Sequence, residues 1–120
     1  MIVACGVDIV SNKRIEDTLK RWGDKFIEKV FPEGVEYCFH KRRGEIVGCI
    51  AARFALKEAV IKAFSHINTS LRFEDIVVLG GGKHLDVKIP VKGYRILFSI
   101  SHEREFSIAF VNVLREEAYE

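Results

Sequence analysis

The hydrophobic period of this chain changes once, near Phe73, and that change limits the folds open to it. Before it, apolar residues recur at helical intervals. Ile15, Leu19 and Trp22 stand four and three apart behind Ser11, a good N-cap, and Val47, Ile50, Phe54, Ile61 and Phe64 mark a longer helix from about Glu45 to Phe64. Phe26, Ile27 and Val30 suggest a short helix after Gly23, and Pro32 suits the first turn of a segment through Val35 to Phe39. After Phe73, residues 76–79, 85–89, 95–100 and 106–114 form β-branched or alternating runs joined by short connections such as Gly80-Gly81-Gly82. Short connections favour hairpins and hence antiparallel pairing. With Ile2 to Val10 read as a largely buried first strand, the pattern predicts an α+β fold: a small antiparallel sheet packed against one long and several short helices.

The chain has 120 residues, 48% of them hydrophobic, which predicts a single domain over 1–120 with one core. Its 19 basic and 17 acidic side chains leave +2, so neither a strongly basic nucleic-acid binder nor an acidic disordered tail is expected. The sum hides a basic first helix and an acidic end at Glu116, Glu117 and Glu120. Cys5, Cys38 and Cys49 are widely spaced among apolar residues. They read as three reduced core thiols of a cytosolic protein, forming neither a disulfide framework nor a zinc site. No signal peptide and no membrane span are expected, because the opening apolar stretch lacks a basic lead and meets Asp8 within a few residues.

Several side chains interrupt this apolar pattern. Asp8 shares a strand face with Ile2, Ala4 and Gly6, where small neighbours leave room for a hard cation such as Mg²⁺; the competing reading is an aspartate capping the following helix. Glu58 lies on the apolar side of the long helix and needs a partner, either Lys62 one turn on or a metal shared with a second carboxylate. Arg53, Lys57 and Lys62 give that helix three cations, suited to a phosphate-rich ligand or to a solvated face. Ser99-Ile100-Ser101-His102 ends a strand in a small polar patch, without the acid or the elbow of a Ser-His nucleophile pair. Gly80-Gly81-Gly82-Lys83 lacks a Walker frame and reads as a hairpin turn, and Lys13, Arg14, Lys20 and Arg21 make a patch suited to an acidic partner.

Taken together, Gly6-Val7-Asp8-Ile9-Val10, the stretch from Arg53-Phe54-Ala55 to Lys62-Ala63, and Ser99-Ile100-Ser101-His102 resemble the motifs of the holo-acyl-carrier-protein synthase family of 4′-phosphopantetheinyl transferases. The resemblance extends to Val30-Phe31-Pro32-Glu33 and Phe73-Glu74-Asp75-Ile76. It implies transfer of the phosphopantetheine arm of coenzyme A to a serine of apo acyl carrier protein, releasing adenosine 3′,5′-bisphosphate. It further implies Asp8 and Glu58 as Mg²⁺ ligands and, with Lys62, as the catalytic set, while Arg53, Lys62 and His102 hold CoA phosphates. Lys57 belongs to the same motif, facing either phosphate or an internal carboxylate. Lys13, Arg14, Lys20 and Arg21 become the carrier-protein docking surface, in a cytoplasmic homotrimer with active sites between subunits. Residues 65–70 depart from the glycine-rich turn common in the family, which puts CoA contacts there in question. That departure motivates the rival reading, a non-catalytic module of the same fold binding CoA, a nucleotide or an acidic protein.

Overall fold

Strand β1 (Ile2–Ser11) runs directly into helix α1 (Asn12–Trp22), and Ser11 serves both, its Oγ accepting the Arg14 N–H at 3.3 Å. In this computed structural model, which describes residues 1–116, two short helices follow, α2 (Asp24–Val30) and α3 (Glu36–Phe39). The 20-residue helix α4 (Ile46–Ser65) comes next. The remainder is β structure. Strands β2 (Val77–Leu79) and β3 (Asp86–Lys88) form one antiparallel hairpin across the glycine turn, and β4 (Tyr94–His102) and β5 (Phe106–Arg115) form another. β1 adds antiparallel to β5, giving the order β1-β5-β4 with Asp8 opposite Ala109 and His102 opposite Ser107. The α+β class and antiparallel pairing are as expected, divided between two sheets instead of gathered into one.

Strand alternation sends Ser107, Ala109, Val111 and Val113 of β5 into the core with no exposure, beside Ala4 and Val10 of β1. Helix α4 lies across this face, and small residues set how closely it lies. A Cβ on Gly6 would collide with the Ala59 carbonyl oxygen, and Ala55, Ala59 and Ala63 are wholly enclosed. Phe31, Val35, Cys38, Ile76 and Val78 belong to the same buried core. Each fully buried large side chain in this core, such as Leu56 or Phe64, contributes about 1.5–3 kcal/mol.

Three expectations are corrected here. α4 carries no single apolar stripe: it is surrounded, so its alanines are the most enclosed residues while Val47, Phe54 and Ile61 are only half-buried. β1 is buried on one face only, because the sheet is uncovered on the other, and Cys5, Val7 and Ile9 are exposed. Two of the three cysteines are not thiols. α3 packs against α4 with the Cα atoms of Cys38 and Cys49 5.5 Å apart, within disulfide reach, and the two are bonded. The argument for a cytosolic setting from thiol chemistry falls with that bond. No helix among the described residues is long and apolar enough to cross a membrane. Of the acidic end, Glu117 and Glu120 lie outside the described residues.

Candidate active site

The close contact at Gly6 brings the outgoing half of β1 against the last turns of α4, and three of the expected site residues meet there. Lys62 Nζ donates to Asp8 Oδ1 at 2.9 Å and to the Val7 carbonyl at 3.2 Å. Glu58 is one turn earlier on the helix and half-buried. Its carboxyl is held above the usual range, first by loss of hydration and then by the neighbouring Asp8 charge, against opposing pulls from Lys62 and Arg14. A partly desolvated carboxylate whose ionised form is disfavoured by a second carboxylate beside it makes a donor set that a hard divalent cation relieves. Mg²⁺ typically takes one or two protein carboxylates and fills its remaining positions with water and phosphate oxygens. Asp8 and Glu58 fit that demand. Among the described residues, no group of three or more His, Cys, Asp or Glu side chains offers a fuller cage.

Arg53 and His102 lie elsewhere. At about 100° and 1.5 Å per residue, Arg53 sits about 140° around α4 from Glu58 and about 7.5 Å along it. Its guanidinium is buried, donates to the Val78 carbonyl at 3.5 Å and to the Gly80 carbonyl, and stacks 5.2 Å from the Tyr37 ring centre. Burial pulls its pKa down, with Tyr37 and Glu33 opposing. A cavity of about 300 Å³ opens beside it, bordered also by Tyr37, Lys41, Gly81 and His102. The His102 ring rests on Gly48, where a Cβ would stand 2.9 Å from its Nδ1. The turn after His102 is held by Asn12, whose Nδ2 donates to the Glu103 carbonyl at 2.7 Å while its Oδ1 accepts from Ser107 Oγ at 2.7 Å. The expected site residues therefore fall into two groups on different sides of one helix: Asp8, Glu58 and Lys62 in the first, Arg53 and His102 in the second.

Lys57, left open between phosphate and carboxylate, faces inward. It has no exposure, and its Nζ donates to the Val30 carbonyl at 2.6 Å, the Phe73 carbonyl at 3.0 Å and Glu33 Oε1 at 3.0 Å. Burial lowers its pKa, and Glu33 opposes that. On α1, Lys13 pairs with Glu16 and Asp17, and Lys20 with Glu16, all at exposed positions worth little. Arg21 lies 5.3 Å from the exposed Trp22 ring, and Arg14 points its field at Glu58 as well as outward. The turn that departs from glycine keeps a glycine-like backbone, because Asn68 adopts φ 58°, a conformation asparagine tolerates better than most residues. The Thr69 N–H closes that turn on the Phe64 carbonyl at 3.0 Å.

Glu33, Tyr37, Asn12 and Gly48 received no role from the sequence. An acid following Val30-Phe31-Pro32 in an apolar stretch was the available signal for Glu33; the others act through contacts distant in the chain.

The sequence and the α+β fold match a known class. Residues 4–111 match the model of the 4′-phosphopantetheinyl transferase superfamily, and the chain belongs to that family. A holo-[acyl-carrier-protein] synthase of Aquifex aeolicus is 40% identical over 92% of this chain and 98% of its own. One of Thermodesulfovibrio yellowstonii is 42% identical over 92% and 97%. Among solved structures, a holo-(acyl-carrier-protein) synthase from Bacillus anthracis in complex with CoA (3′,5′-ADP) superposes with TM-score 0.77 at 31% identity, covering 98% of this chain and 99% of that one. A Helicobacter pylori enzyme in complex with coenzyme A gives 0.75 at 32%, covering 92% and 99%.

Proposed function

We propose that this chain is a holo-acyl-carrier-protein synthase, moving the 4′-phosphopantetheine arm of coenzyme A to a serine hydroxyl of apo acyl carrier protein. The serine oxygen forms a new bond to the pantetheine-side phosphorus, the pyrophosphate P–O bond breaks, the serine proton is lost, and adenosine 3′,5′-bisphosphate leaves. The observation that carries this reading is the meeting of Asp8, Glu58 and Lys62 where β1 crosses α4. Phosphoryl transfer needs the reacting groups aligned and the developing charge neutralised; the nucleophile comes from the partner protein, which accounts for a site built of charges alone. Asp8 and Glu58 would hold Mg²⁺, which when bound supplies Lewis-acid neutralisation of the pyrophosphate. Lys62 adds a cation at the same place and holds Asp8 in orientation. Arg53 and His102 would take the nucleotide phosphates at their own cavity.

Because the two groups face different ways on one chain, the proposal includes a homotrimer in which neighbouring subunits complete each site. The uncovered sheet face supports it. Val7, Ile9, Leu97, Phe106, Ile108 and Phe110 are each at least 41% exposed there, a larger apolar surface than a monomer ordinarily leaves in water. Lys13, Arg14, Lys20 and Arg21 form the docking face for the acidic carrier protein, and the cytoplasmic location now rests on the family reading alone. The test is incubation with CoA, Mg²⁺ and apo carrier protein, followed by mass spectrometry of the carrier. Gain of the phosphopantetheine mass with release of adenosine 3′,5′-bisphosphate is expected, and absence of transfer to any carrier protein overturns the reading. Light scattering on the same sample checks the threefold mass.

A further inference from the structure

The cavity beside Arg53 is shaped by a charge that the proposed reaction does not use. Glu33, 7% exposed at its side chain, stands between two cations on one face of α4, Lys57 and Arg53, which are one turn apart. One of its oxygens accepts from Lys57 Nζ at 3.0 Å, and Oε2 accepts the Val78 N–H at 2.9 Å. The carbonyl of the same Val78 accepts from Arg53 Nη1, and the Gly80 carbonyl two residues on accepts from Nη2. β2 is thus gripped through its N–H by Glu33 and grips Arg53 through its carbonyls. Lys57 fixes Glu33 in turn, being itself anchored to the Val30 and Phe73 carbonyls.

We infer that Glu33 is a positioning residue for coenzyme A binding, acting through β2 to hold the Arg53 guanidinium and the Gly80–Gly82 turn in the geometry that borders the cavity. The chemistry requires such a part. β2 and β3 make a sheet of two short strands, which is marginal by itself, so their place relative to α4 must be set by contacts from outside the hairpin. Glu33 is a buried anion whose field acts on both Arg53 and Lys57. A hydrogen bond from a backbone N–H to a buried carboxylate is among the stronger kinds. Its direction is fixed by the Val78 peptide plane, so it orients the carbonyls that follow. Lys57 is the counter-ion that makes burying Glu33 tolerable, and neither residue needs to touch the ligand.

The inference rests on reading Arg53 as a phosphate-holding residue, and the experiment separates the two. Calorimetric affinity for adenosine 3′,5′-bisphosphate, with KM for CoA and kcat for transfer, would be measured for Glu33→Ala, Glu33→Gln, Arg53→Ala and the Glu33→Ala/Arg53→Ala pair. Glu33→Ala is expected to weaken nucleotide binding and raise KM for CoA by roughly tenfold with kcat within about twofold, a loss of the order of one charged hydrogen bond. Glu33→Gln, which keeps an oxygen for Val78, is expected to recover most of that. The pair is expected to bind no worse than Arg53→Ala alone, since a residue acting through Arg53 has nothing left to act on. Additive losses in the pair, or a Glu33→Ala protein that is folded by circular dichroism and binds like the parent, overturn the inference. If Glu33→Ala fails to fold, the decision passes to Glu33→Gln combined with Arg53→Ala, where additivity again overturns it. Unchanged affinity and KM in Arg53→Ala would remove the phosphate reading, and the inference with it.

Discussion

Helix α4 presents charge on two faces, and the two are treated differently. On the face turned to β2, Lys57 and Arg53 are buried, and every donor of Lys57 has an oxygen within 3.0 Å. On the face turned to β1, Lys62, half in solvent, is bonded to Asp8, while Glu58 feels Lys62 and Arg14 through their fields. The contrast teaches how one helix can serve a fold and a reaction together: the enclosed Lys57 spends its donors on protein oxygens, whereas at the water-bordering site two carboxylates stand close and Lys62 is bonded to one of them. A charge whose bonds are all made within the protein holds a shape, whereas one with bonds still to make can take a ligand.

The comparison breaks most visibly if the open face can be emptied without harm to function. Asp8→Ala or Glu58→Ala is expected to lower kcat for transfer by on the order of 10²–10³-fold, the usual loss when one group stabilising the transition state is removed. Circular dichroism should show no change, and near-normal turnover would mean that this carboxylate pair is incidental. The enclosed face should respond the opposite way. Lys57→Met leaves Glu33 buried without its counter-ion and is expected to cost about 3–5 kcal/mol in urea unfolding. A loss under about 1 kcal/mol would place Lys57 among ordinary surface charges.

The smallest effect sharpens the contrast instead of testing it. Because Glu58 is held above its ordinary pKa of 4.5, its ionised form opposes folding: the folded chain binds more protons than the unfolded one as pH rises from 4.5 through the raised value, and stability falls over that interval. In metal-free buffer, Glu58→Gln should match the parent below that interval and exceed it above, by about 1–3 °C in Tm at neutral pH. The effect is small because the group is half in water. No gain at neutral pH would mean that Lys62 and Arg14 already offset the strain.

What could be read in the sequence follows the range of the forces involved. Ser11 as cap, Gly23 as stop, the four later strands and Asp8 next to small residues are matters of neighbours along the chain, and they are found close to where they were expected. The surroundings of α4 are not such a matter. A helix enclosed on all sides has no polar face to reveal its orientation, and its closest contacts are made by alanines, which periodicity underweights. For the same reason Arg53 and Lys62, which read as members of one group of cations, lie on different sides of the helix, one claimed by β2 and the other by β1. Lys57 needed Glu33, 24 positions away, before its direction could be known. The pairing of Cys38 with Cys49 needed the docking of α3, a four-residue helix with no periodic signature of its own.

That pairing has a consequence for the chain as a covalent object. Cys38 and Cys49 are 11 residues apart, and the loop they close contains Lys41, Arg42 and Arg43, all exposed. A trypsin-like protease cutting there severs the backbone without separating the pieces, so the nicked protein runs as one species until a reductant is added and as two afterwards. Helix α4 thus begins just inside a closed ring, and a cut in the basic stretch of its approach does not release it.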